Sequence, residues 1–256
     1  MSTDKTPGPI PPGADSAPPD IETASDQYAL RFTGPVGEWF VATQGSTTLD
    51  LLADLPTGAR VLDVGGGHAQ LTPYLIEAGY EVTVAGSTDE CANRVRPWLD
   101  SGRCQFQRAD LSALPFEDRS FGAALAFRLM AHVESPLLLL AELCRVADVA
   151  VIVDYASTRS FNLLAGATFR AKRKVEGDTR PFRTSTPAQV REWFECSGFG
   201  LAATQPQFFL PMAFHRMASS KGVSRATEAA ARFLQLTKWF GSPVIVRADR
   251  VEVPQP

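Results

Sequence analysis

The stretch that decides the fold is Val61-Leu62-Asp63-Val64-Gly65-Gly66-Gly67-His68-Ala69. Its apolar start predicts a strand over Arg60–Val64, and its glycines predict a tight turn that opens a helix. Glycine suits such a turn because it adopts positive φ and lets a ligand approach the backbone without a Cβ in the way. Ligands of open α/β sheets bind at the carboxyl ends of the strands. The stretch therefore predicts an α/β sheet with a ligand site directly after its first strand.

Strands and helices alternate along the chain after this turn. Apolar runs predict further strands at 81–85, 104–108, 121–127 and 148–154. Helical spacing predicts connections at 68–78, 88–99 and 136–145. Strands at 199–209 and 244–253, with a helix over 223–240 between them, are predicted in the less regular C-terminal part. Such alternation indicates a mostly parallel sheet with helices on both faces.

Two polar clusters have the composition of helix starts. Thr186-Pro187-Ala188-Gln189 matches the N-cap, N1 and N3 residues of a helix, which predicts a capping box. Ser46-Thr47-Thr48 predicts the start of a helix that ends near Pro56. Another helix is predicted over 161–172. These three helices lie outside the alternating segment.

Composition and charge narrow the function classes. The chain has 256 residues, a formal net charge of −3 and a pI of about 5.7, so no basic field indicates a nucleic-acid partner. Its cysteines form no CxxC pair and its histidines are scattered, which argues against a disulfide scaffold and a metal site. Its apolar runs fall short of the ~20 residues that span a bilayer, and its N-terminus has no apolar h-region. We expect a cytoplasmic protein without stable membrane insertion, in an oligomeric state that the sequence leaves open.

Domain boundaries follow the composition. Residues 1–25 are rich in proline, glycine, serine and aspartate, which predicts a disordered tail. No linker interrupts 26–256, which predicts a single domain. Within it we expect a helical lead-in or lid at 26–57, a cofactor-binding half at 58–158 and a substrate half at 159–256.

Two common nucleotide-binding fingerprints do not fit the glycine turn. The dinucleotide pattern G-x-G-x-x-G/A needs a small residue where Gln70 stands, and an acid about 20 residues on, where Gly86 stands. The P-loop pattern G-x-x-x-x-G-K-[ST] does not occur in the sequence. A nucleotide-dependent oxidoreductase is therefore a secondary alternative, which nicotinamide binding would test.

The motifs, taken in order, resemble those of the class I S-adenosylmethionine-dependent methyltransferases. That family places an acid and then Gly-x-Gly-x-Gly at the end of strand 1, and this chain has Asp63, Gly65, Gly67 and Ala69 in those places. The resemblance continues through 108–111, 114–121 and 129–136, and covers roughly 58–155. The later part of the chain, with a basic loop and an apolar lid, is similar in general layout to the quinone-biosynthesis methyltransferases.

The resemblance implies a fold and a cofactor. The fold would be a Rossmann-like, doubly wound mixed sheet of seven strands, mostly parallel with an antiparallel last strand, and with helices on both faces. The cofactor would be S-adenosylmethionine. Gly65, Gly66 and Gly67 would pass under its methionine part, and Asp63 would hold the turn and reach its amino group.

Three further residues are implied on the cofactor side. Asp110 would accept a hydrogen bond from the adenine amino group, and Leu111 would donate its backbone N–H and pack on the ring. Arg128, at the end of strand 4, would contact a carboxylate of the cofactor or of the substrate. For both Asp63 and Asp110, the alternative is a residue that only caps a turn.

The sequence departs from the family at the end of strand 2. Most members have an acid there that binds both ribose hydroxyls, whereas this chain has Gly86-Ser87. Ser87 would replace one of the hydrogen bonds, and Asp89 would reach back toward the site. Losing a charged acceptor costs about 1.5–3 kcal/mol in binding. A catalytically degenerate binding protein with this fold is therefore the first alternative function.

Three side chains are candidate catalytic bases. Methyl transfer from a sulfonium is an in-line displacement in which the protein mainly aligns the reacting groups, so a base is needed only if the acceptor keeps its proton. His132 lies just past strand 4, Tyr155 ends strand 5, and His215 lies in a later apolar segment. For the two histidines, a structural hydrogen bond is the alternative.

Segments outside the alternating core indicate the substrate class. The lead-in carries aromatic residues, 208–214 forms an apolar patch, and 170–183 is a basic run. A basic loop beside an apolar lid is compatible with an aromatic or isoprenoid acid. The predicted function is methyl transfer from S-adenosylmethionine to an oxygen or carbon of a small apolar or aromatic molecule.

Overall fold

A seven-stranded sheet organises residues 18–160 and 182–251, which are the residues that the computed structural model describes. The strands are β1 (Arg60–Val64), β2 (Glu81–Gly86), β3 (Cys104–Arg108), β4 (Phe121–Ala126), β5 (Ala147–Tyr155), β6 (Phe199–Pro206) and β7 (Val244–Arg250). Their order is β3-β2-β1-β4-β5-β7-β6. β1 to β5 are parallel, whereas β7 is antiparallel to β5 and to β6. The Rossmann-like, mostly parallel mixed sheet that the sequence predicts is confirmed.

Helices lie around this sheet. Within the described ranges they are α1 (Pro19–Thr23), α2 (Asp26–Ala29), α3 (Gly34–Leu51), α4 (Thr72–Glu77), α5 (Arg96–Asp100), α6 (Pro136–Val146), α7 (Pro187–Cys196), α8 (Met212–Ala218), α9 (Lys221–Phe233) and α10 (Leu236–Phe240). None of these helices is long and apolar enough to cross a membrane.

The two faces of the sheet bury two separate cores. Leu62 and Val64 of β1 pack into one core together with apolar side chains of α6 and α7. Val61 packs into the other core, which includes Leu52 from the end of α3 and Leu75 of α4. Successive strand residues point to opposite faces, so this division follows from the strand geometry. The covered faces leave the strand ends as the place where a ligand can enter.

The lead-in helix begins earlier than the sequence predicts. α3 starts at Gly34 and runs through Ser46-Thr47-Thr48, so the predicted start at Ser46 is wrong. The Thr48 hydroxyl donates to the carbonyl of Gln44 at 2.9 Å. A hydroxyl that bonds to the preceding turn fits inside a helix and does not cap one.

Two other predicted helices are interrupted. The segment 88–99 contains a 3₁₀ turn at Asp89–Ala92, and α5 then starts anew because Pro97 lacks the N–H that a continuing helix needs. The segment 223–240 divides into α9 and α10 at Gln235, whose φ of 61° is left-handed.

The capping box at the start of α7 is confirmed, with Thr186 and Gln189 bonding to each other's backbone N–H.

The predicted boundary of the N-terminal tail at residue 25 is wrong. α1 lies within it, and the side chain of Asp20 is fully buried. Proline at a first helical position costs no hydrogen bond, and the buried carboxylate finds partners elsewhere in the chain. Residues 1–17, the helix predicted over 161–172 and most of the basic run lie outside the described residues.

Candidate active site

The glycine turn after β1 is built so that side chains are excluded. Gly65 has a φ of 72°, in the left-handed region. A Cβ on Gly66 would lie 2.2 Å from a carboxylate oxygen of Asp63, and one on Gly67 would lie 2.5 Å from the carbonyl oxygen of Cys91. The turn therefore wraps tightly over the Asp63 carboxylate, as the sequence predicts for a turn of this composition.

Asp63 is the most unusual group at the turn. Its side chain is fully buried, and neither carboxylate oxygen has a hydrogen-bond partner among the described residues. Burial raises the pKa of Asp63 from 3.8 to about 7. Buried polar atoms without partners mark places that a ligand or water completes. Asp63 therefore has the surroundings of a group that a cationic ligand or a water molecule would complete.

His68 follows the glycines but faces a different region. Burial lowers its pKa to about 3, so the ring is neutral, and Nδ1 accepts from the Gln70 backbone N–H at 3.1 Å. It lines a cavity with Pro73 and Arg94, on the side of the turn toward α4. His68 is therefore placed to support the turn.

One large cavity lies beyond the ends of β2 and β3, and we call it the β3 cavity. It measures about 800 Å³. It includes the predicted residues Ser87, Asp110 and Leu111, and its opposite wall comes from 133–139. Asp110 Oδ1 accepts from both the N–H and the hydroxyl of Ser112, at 2.8 and 2.7 Å, and these bonds lower the pKa of Asp110. The loop after β3 thus presents a carboxylate held in a fixed turn.

The end of β2 is occupied by a carboxylate from another part of the chain. Asp20 of α1 accepts from the Ser87 backbone N–H at 2.7 Å and from the Ser87 hydroxyl at 2.5 Å. Asp89, which the sequence predicts to reach back toward this place, is exposed and pairs with Arg108 at 3.8 Å. That prediction is wrong, because the 3₁₀ turn directs Asp89 outward. No pattern in the sequence marks Asp20 as a site residue.

A second cavity lies beyond the ends of β4 and β5, and we call it the β5 cavity. It measures about 310 Å³. Two predicted catalytic residues, His132 and Tyr155, line it, together with Arg128. Most of its wall is apolar or aromatic and includes Tyr28, Phe40, Phe182, Phe208, Leu210 and Met212. The lead-in and the apolar patch thus meet over the same cavity, as expected for a lid.

A buried polar cluster forms the floor of the β5 cavity. Asp154 accepts from the Arg128 backbone N–H at 2.6 Å, and the Arg128 guanidinium donates to Gln44 at 2.7 Å. The guanidinium carbon lies 4.1 Å from the ring centre of Phe32. Burial raises the pKa of Asp154, and the charge of Arg128 opposes that rise. Arg128 Nε is buried without an acceptor among the described residues.

The candidate bases occupy different surroundings. The ring of His132 lies 5.7 Å from that of Phe182, at the cavity wall. Tyr155 is almost fully buried, and burial raises its pKa. His215 does not line the cavity: it is fully buried, with Nε2 3.0 Å from Glu228. The prediction of His215 as a base is therefore corrected, because its ring supports the cavity wall from behind.

Glu228 holds that wall together. Its carboxylate accepts from the backbone N–H groups of Phe209 and Leu210, both at 2.9 Å, as well as contacting His215. The ring of Phe208 stacks on Phe40 of α3 at 3.9 Å. A loop without regular structure is thereby fixed against two helices. No group of three or more His, Cys, Asp or Glu side chains in the described parts of the chain is arranged to bind a metal.

Comparisons with known proteins agree with this geometry. Residues 62–149, about a third of the chain, match the family model described as "Methyltransferase domain". The matched segment contains the glycine turn, Ser87 and the Asp110 loop. No curated protein matches the sequence.

Solved structures share the fold at low sequence identity. Magnesium protoporphyrin IX methyltransferase (ChlM) from Synechocystis PCC 6803 with bound SAH is 16% identical, with a TM-score of 0.62 over 88% of this chain and 94% of that one. A SAM-dependent methyltransferase from Methanosarcina mazei is 13% identical, with a TM-score of 0.58 over 80% and 98%. The [4+2]-cyclase SpnF is 20% identical, with a TM-score of 0.54 over 80% of each chain.

Residues 62–149 therefore match a methyltransferase domain model, and the solved structures share the fold of this chain. The presence of a cyclase among the similar structures shows that the fold alone does not fix the reaction. The substrate and the acceptor atom depend on the cavities of this chain.

Proposed function

We propose that this protein transfers a methyl group from S-adenosylmethionine to an oxygen or carbon atom of a small apolar or aromatic molecule. The observation that carries the proposal is the arrangement of two unlike cavities at one edge of the sheet. In the strand order, β1 with its glycine turn stands between the β3 cavity and the β5 cavity. One cavity offers polar groups to a cofactor, and the other offers aromatic walls to a substrate.

The residues around the turn fit the proposed cofactor. The carboxylate of Asp63 has no hydrogen-bond partner within 18–160 and 182–251, and it suits the cationic amino group of the methionine part. Gly65, Gly66 and Gly67 let the turn pack directly on neighbouring parts of the chain and would pass under the methionine part. Asp110 and Leu111 line the β3 cavity, which would take the adenine. When bound, S-adenosylmethionine supplies an electrophilic methyl group on a good leaving group. Arg128 contributes to the β5 cavity, and its contact with the cofactor stays a prediction.

The β5 cavity favours an apolar substrate with an acidic group. Its aromatic wall excludes water and gives large contact areas to a flat ring. The Arg128 guanidinium, which lines the cavity, would bind a carboxylate. Gln44 accepts from the guanidinium, and Asp154 accepts from the Arg128 backbone N–H. An aromatic or isoprenoid acid, as in the quinone-biosynthesis group that the chain resembles, is therefore the first substrate class to test. We also propose that the protein has no nucleic-acid partner, since a net charge of −3 gives no basic field. We propose a cytoplasmic location, since the cysteines of the described residues are free, as suits a reducing compartment.

The chain's own contribution to the reaction is positioning and proton removal. Alignment of acceptor and methyl group supplies most of the rate of such a displacement. His132 and Tyr155 are the groups at the cavity wall that can take a proton from a hydroxyl acceptor. We assign His132 the role of base, because the buried Tyr155 hydroxyl has a raised pKa and holds its proton.

The test is a transfer assay with S-adenosylmethionine labelled in its methyl group. The protein is incubated with hydroxybenzoic acids, prenylated phenols and fatty acids, and the labelled product is identified by mass spectrometry. Label on an oxygen or carbon of a panel member supports the proposal. Binding of the cofactor without transfer to any acceptor supports the degenerate binding protein, and binding of a nicotinamide cofactor in its place supports the oxidoreductase.

His132→Gln is expected to lower kcat about a hundredfold for a hydroxyl acceptor, with little change in KM or in cofactor affinity. The amide fills the same space but cannot take the proton, whereas the alignment of acceptor and methyl group persists. Steady-state kinetics beside calorimetric titration with S-adenosylhomocysteine measures each part. An unchanged kcat would remove His132 from the mechanism.

A further inference from the structure

Asp20 lies in an unusual position for a residue so close to the N-terminal end of the described chain. Its side chain is fully buried at the end of β2, 67 residues away in sequence from its partner Ser87. Its Oδ2 also accepts from the Cys91 thiol at 3.3 Å. Pro18, Pro19 and Ser87, which flank the carboxylate, all line the β3 cavity. Asp20 therefore lies directly behind the wall of the proposed cofactor site, and a ligand reaches it when α1 shifts.

The end of β2 cannot provide an acid of its own. Its last residue is Gly86, where a Cβ would lie 2.7 Å from the Cβ of Cys91 and 3.0 Å from the ring of Phe106. A side chain of any size at this position would displace one of these neighbours. The carboxylate of α1 occupies the place that β2 leaves without a side chain.

The strand order shows which part of the cofactor would reach this place. β2 stands between β3, whose following loop carries Asp110, and β1, whose following turn covers Asp63. The sugar joins the base to the amino-acid part, so it must cross the end of β2 if those parts lie over β3 and β1. We infer that Asp20 binds the ribose hydroxyls of the cofactor and that α1 closes over the site. This inference rests on the proposed function.

The contacts of Asp20 leave room for this role. A carboxylate has about four acceptor positions on its two oxygens. Oδ2 accepts from the Ser87 N–H and from Cys91, whereas Oδ1 accepts from the Ser87 hydroxyl. A ribose hydroxyl can therefore donate to Oδ1 while the two bonds to Oδ2 keep α1 in place. The residue that follows α1 also packs on the glycine turn, since the Cβ of Ala24 would lie 3.1 Å from a Cβ on Gly67.

The test pairs a variant with a change in the ligand. Wild type, Asp20→Asn and the control Glu22→Gln are titrated calorimetrically with S-adenosylhomocysteine and with its 2′,3′-dideoxy analogue. Glu22 is a matched control because it lies on the same helix and its side chain is 35% exposed, near Arg31. We expect Asp20→Asn to weaken binding of S-adenosylhomocysteine about tenfold, to change binding of the analogue less than twofold, and Glu22→Gln to change neither.

Each other outcome overturns the inference in a recognisable way. Equal weakening of both ligands by Asp20→Asn would mean that Asp20 only docks α1, and tighter binding would mean that α1 obstructs the site. In both cases the proposed function stands. Failure of the wild type to bind S-adenosylhomocysteine would overturn the proposed function itself. The two ligands are compared within one variant. Partial loss of folded protein therefore affects both titrations equally and cancels from the ratio of the two dissociation constants.

Discussion

Asp63→Asn is expected to weaken S-adenosylmethionine binding at least a hundredfold and, at neutral pH, to raise the stability of the cofactor-free protein. The two effects have one cause. The carboxylate is buried and has no hydrogen-bond partner in the described parts of the chain, which stabilises a cationic ligand and destabilises the empty site. Removing a charged partner from a buried hydrogen-bonded pair costs about 3 kcal/mol in binding, or about a hundredfold in Kd.

The stability effect has a defined pH dependence. Burial raises the pKa of Asp63 to about 7 in the folded protein, from 3.8 in the unfolded chain, so the folded state holds a proton that the unfolded state releases between those values. Its contribution is therefore fully present below about pH 4 and is lost as the pH rises to about 7. A shift of this size corresponds to about 4 kcal/mol. Urea unfolding should show wild type and Asp63→Asn close together at pH 4.5 and separated by a few kcal/mol at pH 7.5.

Cofactor affinity should follow the ionisation of the same group. A cationic amino group binds the carboxylate and not the neutral acid, so wild-type affinity is highest above pH 7 and falls as the pH is lowered. Titrations in buffers of different ionisation enthalpy would detect the proton that binding releases. A variant that bound the cofactor normally, or that kept the wild-type pH dependence of unfolding, would show that Asp63 only supports the turn.

The glycine turn and its surroundings could be predicted because their causes are local. A strand, an acid and three glycines specify the geometry within nine residues, and the structure shows the left-handed Gly65 and the tight contact of Gly66 with Asp63. The start of α7 was predictable for the same reason, since the Thr186–Gln189 capping box is a contact across three residues. Local hydrogen bonds and local sterics are what sequence patterns record.

Asp20 could not be predicted in this way because its burial depends on a contact across 67 residues. The surrounding prolines indicate a chain that cannot form a core by itself, and α1 is ordered by packing on Ser87, Cys91 and the glycine turn. One indication was present in the sequence. Gly86 stands where most members of the family have an acid, so a carboxylate at the end of β2 has to come from another segment of the chain. His215 is a predicted site residue that the structure places elsewhere. Its apolar sequence neighbours suggested a base that faces the cavity, whereas the structure pairs its ring with Glu228.

Glu228→Ala is expected to lower the free energy of unfolding by about 3–5 kcal/mol. The substitution leaves the backbone N–H groups of Phe209 and Leu210 and the ring of His215 without their buried acceptor. Each buried donor without a partner costs about 1–3 kcal/mol. For a chain of this size the thermal midpoint should fall by roughly 10 °C.

The same substitution should affect the substrate and spare the cofactor. Leu210 and the neighbouring Phe208 line the β5 cavity, whereas the β3 cavity is formed by other segments. We therefore expect a raised KM for the methyl acceptor and an unchanged Kd for S-adenosylhomocysteine. Arg225→Ala, at an exposed position of α9, is the matched control and should change stability by less than about 0.5 kcal/mol. A thermal midpoint that Glu228→Ala left unchanged would show that the wall of the β5 cavity is held by its aromatic packing alone, through contacts such as Phe40 on Phe208.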